Sequence, residues 1–123
     1  LLFALLHLGN PDIGILPIVN IALFGLFASL YLLRTDNVWG IIGLHAAWNF
    51  SQGNIYGFSV SGTGVDAAVL NFIPKSEWSW LTGGAFGAEA SIFSSLILLM
   101  AVLYLLLKMK KDGSLTELVG KTQ

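Results

Sequence analysis

The stretch that decides how this chain folds is GLHAAWNF, residues Gly43–Phe50, which lies in the middle of an apolar segment. It places an imidazole, His45, and a carboxamide, Asn49, where polar side chains are costly to bury. Because four residues separate them, the two side chains stand one turn apart on the same face of a helix. A polar face in apolar sequence predicts a helix inside a bundle, with that face turned to a cavity or to partner helices.

The composition around this stretch is that of a membrane protein. The chain has 123 residues, of which 55% are hydrophobic and only 11% charged, whereas soluble domains carry about 25% charged residues. The net charge of −1 gives no indication of a nucleic acid partner, and the lack of cysteine excludes disulfides, zinc thiolates and thiol nucleophiles. We therefore predict an all-α, polytopic transmembrane helix bundle that contacts membrane lipid and binds no nucleic acid.

Clusters of turn-forming residues divide the apolar sequence into helices. The turn Gly9–Asp12, with its proline, ends a first apolar run that carries His7. Beyond it, full spans are predicted over 13–34, 38–56 and 90–107, since about 20 residues cross the hydrocarbon core of a bilayer. The connector between the last two spans carries two tryptophans at 78 and 80, which suit the headgroup level.

Basic residues predict the orientation of these spans. Lys108, Lys110 and Lys111 follow the last span and predict a cytoplasmic C-terminus, in the plasma membrane if the source is prokaryotic. The connector would then lie outside and Arg34 inside. Residues 112–123 read as a polar tail, and residues 1–111 form the membrane domain.

The first apolar run raises two questions. It begins without a basic n-region, so we expect residue 1 to lie part-way through a transmembrane helix that continues upstream. The run ends at His7, near the outer surface, whereas His45 lies near mid-span. For His7 and His45 to lie at the same depth in the membrane, either residues 8–14 must dip into the bundle or the first helix must tilt.

Each polar residue has a structural interpretation beside a functional one. Polar side chains in membrane helices often only bond a neighbouring helix, for about 0.6 kcal/mol each. For His45 and Asn49 this structural interpretation and a functional one are equally favoured, because ionisable groups within membrane helices are often functional. For His7 the capping of a backbone carbonyl is favoured. Asn20 is interpreted as an interhelical contact, and Glu89 as a first-turn carboxylate stabilised by the helix dipole.

A metal centre is not predicted. Two histidines would need a third protein ligand and a carboxylate base to form a hydrolytic zinc site. The sequence has no His-Glu-x-x-His motif, and the predicted helix that carries His45 has no carboxylate. No other cofactor is predicted either.

The ordered pair Phe3-x-x-x-His7 and His45-x-x-x-Asn49, separated by an apolar span, resembles the CPBP intramembrane proteases, the CAAX-protease and bacteriocin-processing group. The resemblance implies that residues 1–111 are the C-terminal portion of such a domain. It also implies that His7, His45 and Asn49 are catalytic. His7 would assist a glutamate that activates water, and His45 and Asn49 would stabilise the oxyanion. The substrate would be a membrane-associated peptide or a prenylated protein.

The sequence departs from the family in one respect. The first motif of the family, Glu-Glu-x-x-x-Arg, does not occur in these 123 residues, and neither Glu77 nor Glu89 has an adjacent glutamate. We expect that motif upstream and expect residues 1–123 alone to lack peptidase activity. The alternatives are a non-catalytic immunity or scaffold protein, which the sequence does not separate from a peptidase, and a transporter segment. A transporter is less favoured because no internal repeat of spans is evident.

Overall fold

The structure is a computed structural model that describes residues 2–73 and 77–115. Within these ranges it contains helices and no β-strand, which confirms the predicted all-α fold. The α-helices are α1 (Leu2–Leu5), α2 (Ile15–Thr35), α3 (Val38–Phe50), α4 (Ser79–Thr82) and α5 (Ile92–Lys111). A π-helical turn, Ser51–Ile55, continues α3, and two 3₁₀ turns, Gly84–Phe86 and Ala88–Ala90, precede α5.

The two long helices, α2 and α5, pack against each other and carry the membrane-spanning character of the described chain. Each is long and apolar enough to cross a bilayer, with mean hydropathies of 2.1 and 2.3. Only 17% of the most apolar segment of α2 and 22% of that of α5 are buried within the protein. A core helix of a soluble protein would be mostly buried, so the exposed apolar surface of both helices is typical of membrane helices.

The third predicted span is α-helical over only part of its length. Helix α3 has 13 residues, about 20 Å at 1.5 Å per residue, which is less than the thickness of the hydrocarbon core. It then widens into the π turn, where the buried Gln52 donates from Nε2 to the carbonyl of Ser59, at 2.6 Å. The backbone is therefore helical over 38–55, close to the predicted span of 38–56, but it is α-helical only as far as Phe50.

The boundaries of the last span also differ from those predicted. Helix α5 begins at Ile92, because the Ser91 hydroxyl accepts from the Ser94 N–H at 3.2 Å and caps the helix. It continues through the lysines to Lys111. Of the predicted polar tail, 112–115 are described, and 116–123 lie outside the described residues.

One end of the bundle is held by three segments that we call the loop junction: residues 9–12, 59–63 and 83–91. Two glycines allow the close approach of these segments. A Cβ at Gly62 would overlap the carbonyl oxygen of Pro11, and one at Gly87 would overlap that of Ser59. Both glycines have positive φ, +81° and +116°, so side chains are disfavoured there by backbone conformation as well as by space.

Asn20 joins α2 to the beginning of α5. Its side chain is only 2% exposed. Nδ2 donates to the carbonyls of Glu89 and Ser91 at 2.8 and 3.0 Å, and Oδ1 accepts from the Ser95 hydroxyl at 2.6 Å. These bonds confirm the interhelical role predicted for Asn20.

At the opposite end, an ion pair joins the last turns of α2 and α5. Arg34 donates from Nε and Nη2 to Oδ2 of Asp112, at 3.2 and 3.0 Å. The hydrogen bond from the Ser114 hydroxyl, followed by the bond from Arg34, holds the pKa of Asp112 below its usual value of 3.8. Both partners are exposed, so the contribution to stability is small.

The pH dependence of this pair follows from the direction of the shift. A carboxyl whose pKa is lowered in the folded state stabilises the protein above its unfolded pKa, and the stabilisation is lost as the pH falls through the folded value. We expect the difference in unfolding free energy between the wild type and Asp112→Asn to shrink as the pH falls below about 4, since the pKa of the carboxyl lies below 3.8 in the folded state. Unfolding in detergent at a series of pH values measures this difference, and a constant difference would contradict the expectation.

Candidate active site

A cavity of about 280 Å³ lies among α1, α2, α3 and α5. The polar part of its wall lies near the loop junction and consists of His7, Asn20, His45, Ser61, Glu89 and Ser94. The rest of the wall is aromatic and aliphatic: Phe3, Ile21, Phe24, Phe27, Leu44, Trp48, Ile97, Leu98 and Ala101. Along α5 the wall extends from Ser94 to Ala101, about 10 Å of helix, so the cavity continues from polar groups into an apolar pocket.

His7 lies in the turn that follows the four-residue helix α1. Its Nδ1 is 2.7 Å from the carbonyl oxygen of Phe3. A carbonyl oxygen only accepts, so Nδ1 carries the proton and Nε2 is left with an available lone pair. His7 therefore caps a backbone carbonyl, as the structural interpretation predicted, and also lines the cavity with a nitrogen that accepts a proton.

In His45 the ring proton is assigned to the nitrogen that is not hydrogen-bonded, the reverse of His7. Nδ2 of Asn49 lies 3.3 Å from Nε2 of His45, one turn away on α3. Because an amide N–H only donates, Nε2 accepts and the ring proton is on Nδ1. Asn49 lies behind His45, outside the cavity wall. Its buried Oδ1 has no hydrogen-bond partner among the described residues, an arrangement that costs about 1–3 kcal/mol.

Both histidines pack against the same aromatic ring, that of Phe3. The centroid of Phe3 is 4.7 Å from that of His7 and 5.8 Å from that of His45. Phe24 on α2 packs against His45 from another direction, at 5.0 Å. The structure thus brings both histidines to one cavity, where each contacts Phe3.

Glu89 is a residue of this site that sequence reasoning did not assign to it. The prediction placed its carboxylate in the first turn of the last span, but Glu89 precedes α5 in a 3₁₀ turn and lines the cavity. Oε1 accepts from the N–H and the hydroxyl of Ser61, at 2.5 and 2.7 Å. The carboxylate also interacts electrostatically with His45. The sequence did contain one indication of this role. Glu89 lies at the predicted outer end of the last span, and the run that carries His7 ends on the same side of the membrane.

No group of three His, Cys, Asp or Glu side chains within 2–73 and 77–115 is placed to hold a metal ion. The wall of the cavity instead holds two imidazoles, and in the tautomers that their hydrogen bonds favour His7 has a free acceptor nitrogen and His45 a free N–H. These groups are suited to proton transfer and to hydrogen bonding of a developing negative charge.

The fold and the site define a class of protein: a membrane helix bundle in which two histidines face an internal, largely apolar cavity. Residues 1–51 match the family described as type II CAAX prenyl endopeptidase Rce1-like. The matched segment includes His7, His45 and Asn49, and the match confirms the resemblance to the CPBP proteases, pointing to a protease of the CAAX type. Searches of curated proteins and of solved structures each found no match.

Proposed function

We propose that this chain forms part of a membrane-embedded endopeptidase that hydrolyses a peptide bond of a prenylated or membrane-associated substrate. The observation that carries the proposal is that two histidines line one cavity, each with one ring nitrogen bonded within its own helix segment and the other nitrogen free. In the tautomers that these bonds favour, the free nitrogen of His7 is a proton acceptor and that of His45 a donor.

Each histidine has a separate task in the proposed reaction. Peptide hydrolysis requires a group that takes a proton from water and donors that stabilise the oxyanion on the attacked carbonyl. Nε2 of His7 takes the proton, and Nδ1–H of His45 donates to the oxyanion, with Asn49 holding the His45 ring through Nε2. The resemblance adds a glutamate from Glu-Glu-x-x-x-Arg as the group that activates water together with His7. These 123 residues do not contain that motif.

The apolar part of the cavity supports a lipid-modified substrate. Nine of its wall residues are aromatic or aliphatic, and such a wall favours an isoprenoid chain through the burial of apolar surface. A peptide attached to that chain would then place its carbonyl beside the histidines near the loop junction.

A farnesylated peptide that ends in a Cys-a-a-X sequence tests the proposal. The full-length protein, reconstituted in vesicles, is expected to break the amide bond after the farnesyl-cysteine. Water adds OH to the cysteine carbonyl and H to the amine of the released tripeptide, which mass spectrometry detects. The same peptide without the farnesyl group is the control. Failure of a folded, inserted protein to release the tripeptide would favour the non-catalytic immunity or scaffold alternative.

The proposed orientation places the C-terminus in the cytoplasm, from the lysines that end α5. Because the chain has no cysteine, single cysteines report the orientation directly. We expect a membrane-impermeant maleimide to label Thr63→Cys in intact cells, and Ser114→Cys only after permeabilisation. The reverse pattern would overturn the orientation.

A further inference from the structure

A chain of hydrogen bonds connects the beginning of α5 to the turn that carries His7. Oε1 of Glu89 accepts from the N–H and the hydroxyl of Ser61, at 2.5 and 2.7 Å. The carbonyl of Ser61 accepts from Nδ2 of Asn10 at 3.0 Å. The backbone N–H of Asn10 in turn donates to the carbonyl of His7, also at 3.0 Å. Four residues from three distant parts of the sequence are therefore linked in series.

The turn that carries His7 has little support from its own segment. Helix α1 ends at Leu5, two residues before His7. Its neighbours Leu6 and Leu8 are 73% and 48% exposed, so they add little packing within the protein. Phe3 holds one end of the segment, against Gly25 of α2, and Asn10 holds the other.

Ser61 adopts a conformation that its own sequence does not favour. Its φ is +51°, in the left-handed region that non-glycine residues rarely occupy. Both bonds from Ser61, from its N–H and from its hydroxyl, end on Oε1 of Glu89. They stabilise Ser61 in the orientation that presents its carbonyl to Asn10.

We propose that Glu89 is a positioning residue of the site. It fixes Ser61, Ser61 fixes Asn10, and the turn so held keeps the His7 ring in the wall of the cavity. The catalytic consequence of this positioning rests on the proposed function, whereas the placement of the turn does not. For this positioning, residue 89 needs a side-chain oxygen that accepts hydrogen bonds, since both bonds from Ser61 end on Oε1.

Distances between spin labels test the placement without any substrate. In the full-length protein in nanodiscs, labels at Leu8→Cys and Phe93→Cys report the turn relative to α5, and both native side chains are exposed. We expect one narrow distance distribution in the parent protein and a broad one in Glu89→Ala. Glu89→Gln should keep the narrow distribution, because an amide oxygen still accepts both bonds. Asp112→Ala, which breaks a bond at the opposite end of α5, is the matched control and should leave the distribution narrow.

Asn10→Ala supplies a second test that leaves Glu89 and α5 intact. It removes the bond from the turn to Ser61, so it should broaden the distribution as Glu89→Ala does, even if Glu89→Ala fails to fold. A narrow distribution in Asn10→Ala overturns the inference. A broad distribution in Glu89→Gln also overturns it, since the charge and not the acceptor would then be responsible.

Cleavage of the farnesylated peptide provides the functional readout. Glu89→Ala should lower kcat by about 100-fold with little change in KM, since displacement of a catalytic group by about 1 Å costs this much. Glu89→Gln should restore the rate. If no protein cleaves the peptide while the distance distributions behave as expected, the proposed function fails and the positioning role stands. If Glu89→Ala cleaves at the parent rate, the positioning role fails.

Discussion

Replacement of His45 by alanine is expected to lower the rate of cleavage of a farnesylated peptide by about 100- to 1000-fold, the usual cost of removing one oxyanion donor. His7→Ala should lower the rate by about 100- to 10,000-fold, because it removes the proton acceptor. The full-length protein is the enzyme to assay, with tripeptide release followed by mass spectrometry. Both histidines are only partly buried, so both variants should still insert and fold.

The double variant distinguishes one shared site from two separate effects. If His7 and His45 act on the same reaction step, the loss in His7→Ala/His45→Ala should be close to that of the slower single variant. Losses that multiply would count against a shared step. Ser29→Ala is a suitable control, because the exposed Ser29 hydroxyl bonds to the carbonyl of Gly25 in its own helix. His7→Ala at the parent rate would remove His7 from the site.

Gly87→Ala is expected to lower the free energy of unfolding by about 3 kcal/mol or more. Gly87 has φ +116° and ψ 167°, a region that is essentially restricted to glycine and costs about 1–3 kcal/mol for other residues. In addition, its new methyl group would overlap the carbonyl of Ser59 and press on Nε2 of Gln52, and overpacking costs about 1–3 kcal/mol. Denaturation in detergent, followed by circular dichroism, measures the loss.

Gly64→Ala is the matched control for this prediction. Gly64 lies in the loop just beyond the junction, has no positive φ, and has open space where a Cβ would lie, with no atom within 4 Å. Its replacement should leave the unfolding transition unchanged or slightly more stable, since alanine has less freedom in the unfolded chain. Equal stabilities of Gly87→Ala and Gly64→Ala would show that the loop junction does not hold the fold.

The sequence was sufficient to predict features that depend on neighbouring residues. The helices α2 and α5 follow from uninterrupted apolar runs bounded by turn formers and lysines, because helix formation in lipid depends on local composition. The closeness of His45 and Asn49 follows from their spacing of four residues, since helical geometry alone brings such side chains together. The change from α-helix to π-helix at Ser51 did not follow, because it accompanies a bond from Gln52 to the carbonyl of a distant loop residue.

The meeting of His7 with His45, and the presence of Glu89 at the same cavity, were decided only by the tertiary structure. Residues separated by 51 positions, Asn10 and Ser61, and by 28 positions, Ser61 and Glu89, must bond before the turn after α1 has a fixed place. No periodicity in the sequence records such pairs. They depend on how closely three loops approach, and that approach is permitted by the bare backbone at Gly62 and Gly87.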